Sequence, residues 1–425
     1  MSHSRTIPTA LLVLLPALCC HALAEEPYFV GLGQLSGGAG SIAMAVSADG
    51  TTVVGRAENA DGDWEAFRWT AAEGMVGLGF LPNSSPYPIS MANDVSDDGM
   101  VIVGTSSNGS WLADVEAFRW TQQSGTVDGL GYVYVPGIDD ASQAAGVSAD
   151  GGVAVGLCGS PADASVAFRW TVKDGMVNLG DLPGGWMRGR ASNVSADGTI
   201  VVGSGVTYFG REAFRWTEST GLVPLGVLPG YYDSDVGEIS PEGTCIVGFC
   251  ESDDYIEAFR WTQEEDMVGL GFLSGGDWSE AWGTAADGNV IVGLAGDLIG
   301  DCEAFIWTDA LGMQYLSEVL ALDAGLDIGG WTLSTAYGIT PDGKYIVGEG
   351  TNPDGQMEAW LACLGDPIAC TGDLSGDGER DLADLATLLA SYGVDAGGDL
   401  DGDGDTDLSD LGALLAVYGR PCLQW

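Results

Sequence analysis

Val46-Ser47-Ala48-Asp49-Gly50 is followed by Val53-Val54-Gly55, then by Glu65-Ala66-Phe67-Arg68-Trp69-Thr70 and Met75-Val76-Gly77-Leu78-Gly79. The same order returns through the chain, its turn reading Asp98-Gly99, Asp150-Gly151, Asp197-Gly198, Glu242-Gly243, Asp287-Gly288 and Asp342-Gly343. Successive turn glycines are 49, 52, 47, 45, 45 and 55 residues apart, so seven repeats fill residues 28 to 364. Each repeat holds four short runs of β-branched and aromatic residues between Gly and Asp turns, which is a strand pattern. In the first repeat the runs cover 42–47, 51–56, 65–70 and 75–80. Four strands per repeat of this length make one propeller blade, whereas a solenoid would need capping repeats.

The ends are offset. Phe29-Val30-Gly31-Leu32-Gly33 copies a fourth strand with no first three before it, and Glu358-Ala359-Trp360-Leu361 is a third strand with no fourth after it. The N-terminal strand can therefore complete the last blade and remove an open edge. The expected fold is an all-β, seven-bladed β-propeller over residues 25–365, followed by a small α-helical domain over 366–425.

The strand alternation points Glu65, Phe67 and Trp69 one way and Ala66, Arg68 and Thr70 the other. Phe67 and Trp69 are expected in the core. Arg68, Arg119, Arg169, Arg215 and Arg260 recur at one position. Five identical residues suit five identical structural jobs, with a turn Asp or strand Glu carboxylate as the expected partner. The Glu-Ala-Phe-Arg-Trp element at 65, 116, 212 and 257, with Val166 replacing Glu in the third repeat, resembles the HAF repeat. That likeness covers about three quarters of the chain and implies an extracellular β-rich protein without known catalytic residues. Late repeats depart from it, with Ile306 in place of Arg and Trp360-Leu361 in place of Phe-Arg.

Composition narrows the function. The chain has 425 residues, 61 Asp plus Glu against 14 Lys plus Arg, and a formal net charge of −47. Such a balance excludes the basic footprint that nucleic acid or an anionic membrane surface requires. With 46% hydrophobic and 18% charged residues, there is still ample material for a packed core. Residues 1–24 read as a secretory signal peptide, with Arg5, the apolar run 9–18 and Ala22-Leu23-Ala24 as cleavage site. Cys19 and Cys20 raise a lipoprotein reading, but Pro16-Ala17-Leu18 is a poor lipobox. Both histidines, His3 and His21, fall in that segment, so the mature chain can form neither a Ser-His-Asp triad nor a His-ligated zinc site. Seven cysteines follow it; Cys370 with Cys422 is the preferred disulfide and Cys363 with Cys370 the rival.

The second-to-third and fourth-to-first loops vary most and share one face, where binding usually resides. They carry Tyr87, Tyr134, Trp186, Tyr231, Tyr232, Trp278 and Trp331 beside Asp139, Asp233, Asp253, Asp254 and Asp277. Trp186, Tyr231, Tyr232 and Trp278 are the candidate ligand face. Aromatic rings stack on sugar C–H groups while carboxylates accept their hydroxyls. Two carboxylates could also cleave an O-glycosyl bond. The bland alternative is that the aromatics cover loop cores and the acids keep the surface soluble.

The sharpest site begins at Asp373. Loop positions 1, 3, 5, 9 and 12 are Asp373, Ser375, Asp377, Asp381 and Asp384, with Gly378 at the tight turn. Asp399, Asp401, Asp403, Asp407 and Asp410 repeat the set 26 residues later, and Glu379 and Asp405 at position 7 offer main-chain carbonyls. Leu385, Leu388, Leu389 and Tyr392 then make a helical stripe before Gly393, matched by Leu411, Leu414, Leu415 and Tyr418 before Gly419. The two stripes are expected to pack together.

This duplicated pattern resembles a type I dockerin (an EF-hand-type loop-helix module) with Asp in place of Glu at position 12. The resemblance implies two Ca²⁺ ions, calcium-dependent folding, and docking to a cohesin in polysaccharide-degrading assemblies. Arg380 and Thr406 depart from it by occupying position 8, where an apolar residue is usual. The leading expectation is a secreted, non-catalytic binding or scaffold protein, and the alternative is a polysaccharide-acting enzyme.

Overall fold

The computed structural model describes residues 26–82, 87–108, 115–135, 140–160, 164–297, 302–365, 372–376, 379–400 and 403–419. The signal segment, the Cys370–Cys422 and Cys363–Cys370 pairings, Asp139, Asp377 and Asp401 lie outside the described residues.

Each repeat folds as a four-stranded antiparallel sheet. In the first, Ser41–Val46, Val53–Glu58, Trp64–Thr70 and Gly74–Gly79 pair in chain order. A single parallel pair, Ile256 with Trp278, merges the fifth and sixth sheets into one of eight strands. In the last repeat the fourth place is taken by the N-terminal strand Tyr28–Gly31, antiparallel to Met357–Cys363 with Phe29 opposite Ala362. The turn glycine of every repeat has a positive φ, from 67° at Gly151 to 76° at Gly343, which a β-carbon would resist.

Packing runs between sheets. The element phenylalanines Phe67, Phe118, Phe168, Phe214, Phe259 and Phe305 are at most 1% exposed, and Trp360 takes their place in the last repeat. Phe118 joins Val54 across the first and second repeats, and Phe67 joins Tyr345 and Leu361 across the first and last. Burying a Phe side chain contributes about 1.5–3 kcal/mol, so this one position supplies a large share of inter-sheet adhesion. The result is a propeller-like, all-β fold.

Three helices complete the described chain. Helix α1 (Leu316–Leu322), unexpected from the sequence, buries Leu316, Val319 and Leu320 between the sixth and seventh repeats. Helices α2 (Leu382–Ser391) and α3 (Leu408–Val417) follow the two acidic loops. Their stripes pack less fully than expected: Leu388 and Leu414 are buried, whereas Leu389, Tyr392, Leu415 and Tyr418 stay exposed. Each helix is ten residues long, and one shared contact line buries only its inner edge.

Candidate functional site

Four of the five recurring arginines make contacts within the fold, with partners other than those expected. Arg119 and Arg169 donate to the carbonyl oxygens of Gly151 and Gly198, the turn glycines of the following repeats. Arg260 reaches the Gly288 carbonyl together with Glu265 and Asp309, while Arg68 pairs with Glu73. The turn Asp is unavailable because its own loop uses it. Asp197, for example, accepts from Ser195 and Thr199, and these hydrogen bonds hold its carboxyl below the usual carboxylate range. The strand Glu is also committed: Glu65 accepts the Gly79 N–H at 2.9 Å and Glu116 the Gly131 N–H at 2.8 Å.

A central cavity of about 330 Å³ is lined by the first strands of all seven repeats. A register shift interrupts each first strand at the same place, as between Ala92 and Asp94 or Val236 and Glu238. Such bulges re-aim side chains. Here they bring Asp94, Asn193 and Glu238 to the cavity wall. Asp94 accepts from the N–H groups of Val95 and Val147. Glu238 accepts from the Asn193 side-chain amide at 2.5 Å and from the Ile239 N–H. Burial raises the Asp94 carboxyl to about 7. Burial, with the charge of Asp94 added, raises Glu238 to about 8. Other repeats place Ala45, Gly146, Gly283 and Gly338 at this position, so aligning the repeats would have marked these three residues.

The variable-loop aromatics divide. Tyr231 donates its hydroxyl to Glu257, and Trp278 its indole N–H to Glu280. Both are half-buried, with their polar atoms held by these carboxylates. Trp331 packs edge-on against Phe29, with ring centroids 5.3 Å apart, and belongs to the last interface. Trp186 and Tyr232 remain exposed, as do Tyr87 and Tyr134. Tyr208 and Phe209, which sequence reasoning passed over, are 77% and 88% exposed on the second-to-third loop of the fourth repeat. Near the cavity mouth, Arg190 and Arg211 pair with the buried Asp235, and Arg211 also meets Glu251.

The acidic loops fold alike. Asp381 caps α2 by accepting from the Ala383 N–H, while Asp384 accepts from the Asp381 N–H, a reciprocal capping box. Asp407 and Asp410 repeat this on α3. Asp384 also accepts from Ser375 at 2.9 Å, and Asp410 from Leu400 at 2.6 Å, which closes each loop on its helix. Burial opposes ionisation of Asp384, but hydrogen bonds from Asp381 and Ser375 outweigh it and lower its pKa. Asp373 gathers the Gly376 N–H and the Ser375 hydroxyl, and Asp399 accepts from Gly404. Asp403 accepts the Asp405 N–H, and Glu379 lies exposed beside Arg380. In the second loop, carboxylate oxygens of Asp405, Asp407 and Asp410 lie within 4.8 Å of one another. Asp405 thus brings its side chain where only its main chain was expected. An all-oxygen, anionic donor set suits a hard divalent cation.

Sheet order and the first-strand cavity define the class as a propeller-like scaffold. No family model and no curated protein matches the chain. Among solved structures it is similar to TolB from Acinetobacter baumannii, at 12% identity with 62% of each chain covered and a TM-score of 0.43. It is also similar to a puromycin-hydrolyzing peptidase of Mycobacterium tuberculosis, at 13% identity and a TM-score of 0.49. That match covers 79% of this chain and 54% of the peptidase. The chain therefore spans less than two thirds of either protein's length, and neither likeness transfers a residue role.

Proposed function

We propose that the chain is an exported, non-catalytic binding or scaffold protein. In this reading residues 25–365 form a closed seven-bladed propeller of HAF-like repeats. Residues 366–425 form a dockerin-like unit that folds around two Ca²⁺ ions. The observation that carries it is the duplication: two acidic loops, each closed on a capping box, one with three carboxylates converging. Asp373, Ser375, Asp377, Asp381 and Asp384 would hold the first ion, with the Glu379 carbonyl. Asp399, Asp401, Asp403, Asp405, Asp407 and Asp410 would hold the second. Calcium would offset the crowded carboxylates of both loops. The exposed faces of α2 and α3 would then meet a cohesin-like partner, and the variable loops a glycan.

Calorimetric titration of the full chain with Ca²⁺ tests the metal reading; absence of binding heat rejects it. A glycan array on the same protein tests the ligand face. One observation favours an enzyme instead: two buried carboxyls, Asp94 and Glu238, line one cavity, and burial raises both above the usual carboxylate range. Release of reducing ends from a polysaccharide would support that second reading.

A further inference from the structure

The two acidic loops share a capping box on the helix that follows each of them. The Gly393 N–H after α2 donates to the Thr406 carbonyl, and the Gly419 N–H after α3 donates to the Arg380 carbonyl. Position 8 of each loop is thus tied to the far end of the other loop's helix. Side chains at this position are both buried, but they go different ways. The Thr406 hydroxyl turns inward, donating to the Asp395 carbonyl and accepting from the Gly398 N–H. Arg380 leaves its own unit. Its guanidinium donates to Asp323 at 2.6 Å, and the two side chains are only 1% and 2% exposed.

Asp323 caps the C-terminus of α1, which is rooted in the interface between the sixth and seventh repeats. The ion pair therefore joins the two parts of the protein in a dry contact. From residue 371 onward there are 12 acids and 2 Arg, of which Arg380 alone is among the described residues. An acidic unit resting on an acidic propeller has reason to repel, and this pair is where attraction is concentrated.

We infer that Asp323 and Arg380 form a clamp that fixes the C-terminal unit to the end of α1, and that calcium in the first loop controls it. The inference rests on the calcium reading above. Arg380 lies between Glu379 and Asp381, two residues of the proposed first site. When the ion is bound, the Asp381 carboxylate is engaged by it and the guanidinium is left to Asp323. Without it, the carboxylates of the same loop compete for the guanidinium, and α1 loses its partner. The clamp also gives a reason for an arginine at a position where the resemblance implies an apolar residue.

The test is hydrogen exchange of the α1 amides, 316–322, in the full chain. Wild type, Asp323→Ala and Arg380→Met are each compared in Ca²⁺ and in chelator, with calorimetry on the same samples. In wild type, chelation should speed α1 exchange by roughly tenfold or more, as expected when a buried pair is lost. Both variants should exchange fast already and respond little to chelation, while amides of the first repeat stay protected. Binding heat with chelation-insensitive α1 exchange in wild type overturns calcium control. Equal α1 exchange in wild type and both variants overturns the clamp. Absence of binding heat sinks the calcium reading, and the variants then judge the clamp alone.

Discussion

Gly33 donates its backbone N–H to Glu358 at 2.8 Å, across 325 residues of chain. The same bond joins Glu65 to Gly79, Glu116 to Gly131 and Glu257 to Gly271 within single repeats. The N-terminal strand thus occupies the place of a fourth strand down to its individual hydrogen bonds. Phe29 adds an edge contact to Trp331 and a second ring contact to Trp360. Phe29→Ala should cost about 2–3 kcal/mol, less than a fully buried Phe because it is half-buried. Urea unfolding would measure it; an unchanged midpoint would mean the closure contributes nothing.

Buried serines tie neighbouring repeats together. Ser142 is fully buried, donates to the Gly131 carbonyl and accepts the Ala117 N–H. Ser41, Ser90, Ser234 and Ser279 do the same at their own junctions. Ser142→Ala orphans the Ala117 N–H and the Gly131 carbonyl and should destabilise by about 1–3 kcal/mol. Ser142→Cys, a weak donor of similar size, should recover part of the loss in the same unfolding assay.

The cavity acids predict a pH dependence. Both carboxyls have folded pKa values above their unfolded ones, so the folded state holds protons more tightly. Their contribution is fully present below about pH 4 and is lost as pH rises through about 7 for Asp94 and about 8 for Glu238. Glu238→Gln removes the larger part of this loss. Thermal melts should show the variant gaining on wild type between about pH 5 and 8 and no further above that, and parallel curves over that range would refute the assignment.

Arg169 bridges two repeats through the Gly198 carbonyl. Arg169→Ala should lower stability by about 1–2 kcal/mol, the usual scale for a hydrogen bond from a charged donor that is partly exposed. Its effect on any glycan bound to the variable loops should be nil. A selective loss of binding with unchanged stability would instead make this arginine part of a ligand site.

Asp410 stands at the convergence of the second loop. Asp410→Asn removes one formal charge from the donor set and should weaken that site on the order of tenfold or more. Calorimetry should then separate two calcium events, one shifted and one close to its wild-type position.

The repeats, their four-strand content and the donated N-terminal strand were legible because each rests on local patterning: alternation, turn chemistry and spacing. The acidic loops were legible for the same reason, since their oxygens come from one short stretch of chain. Other features depended on partners far apart in sequence. Alternation marks Arg169 as facing a neighbour, but only packing decides that the neighbour offers a glycine carbonyl. Nothing within a single repeat shows that a bulge turns Asp94, Asn193 and Glu238 into one cavity. The helical stripes named the apolar residues of α2 and α3, yet the crossing of the helices chose which of them are covered. Arg380 was visible as an oddity at position 8, and its meaning came from Asp323, 57 residues earlier, which only the assembled chain brings within reach.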